Sequence, residues 1–104
     1  MEIVLRPGSR FRSVVCETEV VVVRAPSAAV ELCCGGRPMA PIDAGVAIEG
    51  PVSPDHAAGT ALGKRYTDAE ETIEVLCSKP GAGSLSLGAE ALVTKSAKPL
   101  PASD

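Results

Sequence analysis

Apolar and polar positions along the chain recur in short stretches with a period of two, the spacing of half-buried β-strands. The strongest stretch is Thr18-Glu19-Val20-Val21-Val22-Val23-Arg24. Its unbroken β-branched run predicts a central strand buried on both faces. Residues 29–33 alternate behind a Pro26-Ser27 turn, and residues 72–77 alternate as clearly. Shorter candidates are 10–16, 64–66, 84–87 and 91–94. Between them, Pro41, Gly45, Gly50, Pro51, Pro54 and Gly59 break the pattern. Residues 40–62 therefore read as an exposed crossover loop, in which Gly45-Val46-Ala47-Ile48-Glu49 is the one candidate strand. Thr67-Asp68-Ala69-Glu70 has the form of a capping box. Period-two alternation resumes at once, which reduces that signal to a single helical turn or a loop. Lys98-Pro99-Leu100-Pro101 reads as an extended tail. The predicted class is all-β: a small sandwich or barrel of short antiparallel strands.

The two halves echo each other. Gly8-x-Arg10-Phe11 compares with Gly63-x-Arg65-Tyr66. Arg24-x-Pro26-Ser27-Ala28-Ala29-Val30-x-Leu32 compares with Ser78-Lys79-Pro80-Gly81-Ala82-Gly83-Ser84-Leu85-Ser86-Leu87 when one inserted residue is allowed. Duplication predicts one domain made of a β unit over 1–42, a connection over 43–62, a second β unit over 63–97 and a tail over 98–104. Either unit alone has too little core, so the two pack face to face about a pseudo-two-fold axis.

Composition narrows the function classes. The 104 residues carry 10 Lys+Arg against 13 Asp+Glu, a net charge of -3, without the basic footprint of a nucleic-acid binder. Phe11 and Tyr66 are the only aromatic residues, so base-stacking platforms are not expected and the core is expected to come from Val, Leu, Ile and Ala. The start shows no secretory signal, and the longest apolar run is residues 20–23, too short for a membrane span. The expected location is cytoplasmic. In that reducing compartment Cys16, Cys33, Cys34 and Cys77 read as metal ligands or free thiols rather than disulfides.

Four cysteines in so small a chain suggest tetrahedral thiolate ligation of zinc or iron. The adjacent pair Cys33-Cys34 followed by Gly35-Gly36 is the sharpest feature, because a glycine turn lets backbone N–H groups reach the sulfurs. The competing reading makes Cys33 a buried small hydrophobe, Cys34 a surface thiol and Cys77 a structural free thiol. His56, the single histidine, reads as a solvated loop residue. No nucleophilic catalytic constellation can be assembled, so an enzyme is not expected. Gly81-Ala82-Gly83 lacks the lysine of a phosphate loop and reads as a hairpin turn. Asp68, Glu70 and Glu71 read as a solvated acidic face.

The run Ser13-Val14-Val15-Cys16-Glu17-Thr18-Glu19-Val20-Val21-Val22-Val23, followed by Val30-Glu31-Leu32-Cys33-Cys34-Gly35-Gly36-Arg37-Pro38-Met39, resembles desulforedoxin and the N-terminal domain of desulfoferrodoxin. The resemblance covers about residues 10–39. It implies a mononuclear, Cys-ligated iron, or zinc in its place, within a small β fold. Iron would imply single-electron transfer with a redox protein partner. Zinc would imply a structural staple, and loss of the metal an accessory subunit of a larger enzyme, as a monomer or homodimer, with neither nucleic acid nor membrane as partner. The family's first ligand cysteine falls at Ser13, and Cys16, Cys33 and Cys34 match the other three. Cys77, the remaining cysteine, is then expected as the fourth ligand, and Ser13→Ala is expected to keep both metal and stability.

Overall fold

The computed structural model describes residues 3–45 and 47–94; the tail over 98–104 and Val46 of the candidate 45–49 strand lie outside them. Ten short strands run in chain order: β1 Arg10–Arg12, β2 Glu19–Arg24, β3 Leu32–Cys34, β4 Arg37–Pro38, β5 Ala40–Pro41, β6 Arg65–Thr67, β7 Glu74–Lys79, β8 Leu85–Leu87, β9 Glu90–Ala91 and β10 Val93–Thr94. They form two antiparallel sheets, ordered β10-β6-β7-β2-β1-β5 and β4-β3-β8-β9, and neither closes into a barrel. No helix of the described residues is long and apolar enough to cross a membrane.

Both sheet orders read as mirror images about their centres. Glu19 and Glu74, which open β2 and β7, are 55 residues apart. Leu32 and Leu85, which open β3 and β8, are 53 apart. At the centre of the larger sheet Val20 faces Cys77, Val21 faces Leu76 and Val22 faces Val75. In the smaller sheet Leu32 faces Leu87, Cys33 faces Ser86 and Cys34 faces Leu85. Equivalent positions therefore exchange across an axis through the Val21–Leu76 and Cys33–Ser86 pairs. The main chain obeys the same symmetry: Gly35 N donates to Ser84 O at 3.0 Å, and Gly88 N to Glu31 O at 2.7 Å. Gly35 and Gly88 both have positive φ, 65° and 60°, which glycine adopts without steric cost. Two similar β units with pseudo-two-fold packing are thus present, each with five strands.

The core lies between the sheets. Val20, Val22, Ile73 and Val75 from the larger sheet and its turns pack with Leu32, Cys34 and Leu85 from the smaller one. Aliphatic and sulfur-bearing side chains make up most of it, joined by Phe11 and Tyr66, the two aromatic residues of the chain.

Several details differ from the sequence-based expectations. β2 is central but buried on one face only; Val20 and Val22 point inward, whereas Val23 is 42% exposed. No strand forms over the described part of 45–49. Residues 69–70 form a non-helical turn, the loop alternative of the sequence reading. Asp68 leaves the acidic face and is buried, because its carboxylate caps that turn, accepting Thr72 N at 2.7 Å and Ile73 N at 3.3 Å. Burial raises its pKa, but the bonds from Thr72 and Ile73 outweigh this and leave it lowered. The run Gly81-Ala82-Gly83 is no hairpin, since β7 and β8 belong to different sheets. The 40–62 segment is mostly exposed, yet it is strapped to the fold by Glu49 N to Val14 O, Ser53 N to Gly35 O and Thr60 N to Gly81 O. Exposed side chains with a committed backbone are what its Pro and Gly content permits.

Candidate thiol site

The turn over residues 13–18 joins β1 to β2 and is closed from inside by a serine. Ser13 is fully buried, and its Oγ accepts the backbone N–H groups of Val15 and Cys16, each at 3.1 Å. Ser13 N donates to Thr18 O at 2.8 Å. These bonds fix the turn and aim Cys16 at the inter-sheet space. Cys34 reaches the same space from the inner face of β3, where Leu32 also points. Cys16 Sγ and Cys34 Sγ stand 3.9 Å apart.

The second unit supplies the roof. Gly83 N donates to Cys16 Sγ at 3.4 Å. A Cβ on Gly83 would lie 2.9 Å from Gly35 Cα and 3.1 Å from Cys34 Sγ. A Cβ on Gly81 would lie 2.7 Å from Thr18 N and 3.1 Å from Cys16 Sγ. Both glycines are required because the loop lies directly on the two sulfurs.

A chain of hydroxyl groups leads away from Cys16. The thiol donates to Thr18 Oγ1 at 3.3 Å, and Thr18 Oγ1 and Thr60 Oγ1 are 3.0 Å apart. Thr60 Oγ1 donates to Gly83 O. That carbonyl can only accept, so Thr60 spends its one proton there and takes the Thr18 proton in return. Three protons then fill three gaps. Ionising Cys16 leaves two protons for the same three gaps. Thr18 can serve the thiolate only by releasing Thr60.

The two thiols are tuned in opposite directions. Burial raises the Cys16 pKa, but hydrogen bonds from Ser13, Thr18 and the Gly83 backbone outweigh it and lower the value to about 7. Burial, reinforced by the neighbouring Cys16 charge, pushes Cys34 up to about 12. Outside, Cys16 opens on a cleft of about 390 Å³ lined with Glu17, Ile48, Gly81 and Ala82. Cys34 is fully buried beneath it. A second hollow, lined by Ile3, Phe11, Leu32, Met39 and neighbouring residues, is almost wholly apolar and brings no reactive groups together.

Of the four cysteines expected as metal ligands, these two converge. Cys33 alternates onto the other face of β3, beside Ser86 on the pseudo-axis, and burial together with Glu31 raises its pKa. Cys77 points into the core from β7, and its Sγ donates to Lys79 O at 3.2 Å. Burial raises it as well. Among the described residues, no three His, Cys, Asp or Glu side chains are grouped as a metal ion would need. The side chains as placed do not assemble the tetrathiolate set of a mononuclear iron or zinc, since only Cys16 and Cys34 converge; Ser13 Oγ, for its part, is occupied by two N–H donors. His56 is half-buried rather than solvated; it ends a 3₁₀ turn over Pro54–His56, and its carbonyl accepts Ser84 N at 2.8 Å.

The equivalent place in the second unit carries no sulfur. Asp68 stands where Ser13 does, Glu71 where Cys16 does and Leu87 where Cys34 does. Sequence reasoning missed Thr18, Thr60, Gly81 and Gly83. The glycine pair in the 80–83 run was the available signal, but its contact with Cys16 is non-local. Compared with protein-family models, curated proteins and solved structures, the chain matches none.

Proposed function

We propose that the chain is a small dithiol protein that exchanges thiols for a disulfide at Cys16 and Cys34. The observation that carries this reading is the 3.9 Å approach of the two sulfurs beneath a solvent cleft. Cys16, lowered to about 7 and, at 9% exposed, the more accessible of the two, is the attacking group, and Cys34, with no exposed surface, resolves. Cys16 thiolate attacks one sulfur of an external disulfide, forms a mixed disulfide and expels one thiolate. That bond removes the Cys16 charge, which had helped to hold Cys34 protonated. Cys34 then loses its proton and attacks Cys16 Sγ, expelling the second thiolate. Two protein thiols are oxidised, the external disulfide is reduced to two thiols, and the two protons end on those thiols. Closing the bond moves the sulfurs from 3.9 Å to about 2.05 Å.

The test is anaerobic incubation with hydroxyethyl disulfide, followed by alkylation and peptide mass mapping. A Cys16–Cys34 bond with Cys33 and Cys77 alkylated is the expected product. Cys34→Ser should stop at a mixed disulfide on Cys16. Modification starting at Cys33 or Cys77 refutes the reading. So does purified protein that holds one iron or zinc per chain and loses it on Cys77→Ser, the result the desulforedoxin resemblance calls for.

A further inference from the structure

The cleft above Cys16 has a chemical character of its own. Glu17 is its single charged lining residue, and Ile48, Gly81 and Ala82 add apolar or side-chain-free surface around Cys16. Glu49, next to Ile48, is exposed and tied by its N–H to Val14 O at 2.6 Å, which holds a second carboxylate-bearing residue near the rim. In the ladder Arg12 and Lys79 both stand in register with Glu19, one carboxylate between two cations. The exchange step itself adds negative charge, carried by the attacking thiolate and then by the leaving one.

We infer that this cleft selects disulfides that carry positive charge beside the S–S bond, with Glu17 as the specificity-determining residue. The inference rests on the thiol–disulfide reading above. A carboxylate at the rim of a partly desolvated cleft attracts an ammonium group a few ångströms from the sulfur and repels a carboxylate placed there. Glu17 is exposed and makes no bond that holds the 13–18 turn, so altering it leaves the thiol pair in place.

The experiment measures rates of Cys16–Cys34 oxidation by cystamine, neutral hydroxyethyl disulfide and oxidised glutathione. Each rate is divided by the same reagent's rate with free mercaptoethanol, which cancels intrinsic reactivity. Cystamine should exceed glutathione disulfide by about ten-fold at low salt, and the ratio should fall toward unity at high salt. Glu17→Gln should cut the cystamine rate about three-fold and leave the neutral reagent unchanged, and Glu17→Lys should favour glutathione disulfide. Equal normalised rates, or a Glu17→Gln protein with the original preference, overturn the inference while the dithiol reading stands. If no reagent produces the Cys16–Cys34 bond, both fall.

Discussion

Replacing Ser13 with alanine removes one oxygen and leaves two donors stranded. Val15 N and Cys16 N both end on Ser13 Oγ at 3.1 Å, inside a residue with no exposed surface. An unsatisfied buried N–H costs about 1–3 kcal/mol, and partial relaxation of the turn brings the pair to about 2–4 kcal/mol. For a domain of this size that is a fall in melting temperature of roughly 10–25 °C. This reverses the sequence-based expectation that Ser13→Ala is silent. That expectation treated Ser13 as a vacant ligand position, whereas its oxygen holds the turn. The same substitution removes a hydroxyl that favours the Cys16 thiolate, so the pH at which Cys16 becomes reactive should rise. Thermal melts followed by circular dichroism, with an iodoacetamide rate–pH profile for Cys16, read both effects. Asp68→Ala is the internal control, since Asp68 closes the equivalent turn of the second unit with two backbone acceptor bonds. A Ser13→Ala protein that melts within about 2 °C of the parent and keeps its Cys16 profile refutes the reasoning.

Three further outcomes follow from the site. Gly83→Ala forces a Cβ to within 2.9 Å of Gly35 Cα and N, and should cost about 1–3 kcal/mol in urea unfolding and block disulfide closure. Thr60→Val frees Thr18 to donate to the Cys16 thiolate, so alkylation of Cys16 below its pKa should quicken about three- to ten-fold; Thr60→Ser should restore the parent rate. Cys16 has a folded pKa of about 7 against an ordinary value of 9.0, so its contribution to stability is complete above 9 and is lost as pH falls through 7. Cys33, Cys34 and Cys77 are shifted upward, so theirs is complete below 9 and fades above it. Unfolding free energy should therefore peak near pH 8–9, and Cys16→Ser should abolish the rise between 7 and 9.

Fold class was legible because period-two alternation and frequent Gly and Pro are local signals, and an all-β sandwich follows from them. Duplication was legible through Gly8 and Gly63, whose positive φ values of 90° and 80° both precede a strand with an aromatic residue at its centre. The half-burial of β2 was not legible. A Val-rich run is compatible with one buried face or two, and only the partner layer decides. The thiol site was half legible. Cys16 and Cys34 stood out by type, but adjacent strand residues project to opposite faces, so Cys33 could not follow Cys34 inward without breaking the β3 pairing. Thr60 reaches Thr18 from 42 residues away and Gly83 reaches Cys16 from 67, beyond any local pattern.

Symmetry explains why the chemistry sits on one side only. A pseudo-two-fold fold offers each turn and each inner strand position twice, and the backbone treats both alike: Met39 N to Leu32 O at 2.9 Å is repeated by Leu92 N to Leu85 O at 3.0 Å. Side chains then break the symmetry. At the second site Asp68 caps with a full carboxylate, and Leu87 occupies the place of Cys34, so that turn is stabilised and carries no thiol. At the first, the smaller Ser13 caps with one oxygen, which leaves a proton to spare for the sulfurs and room for them beneath the 81–83 loop. That loop belongs to the second unit, whereas Cys16 and Cys34 belong to the first. The site therefore exists only when the two units are packed together. Because Gly83 N bonds Cys16 across that junction, thiol chemistry at Cys16 should report directly on the packing of the halves. Substitutions that loosen the Val21–Leu76 pair should raise the Cys16 pKa before they unfold either sheet.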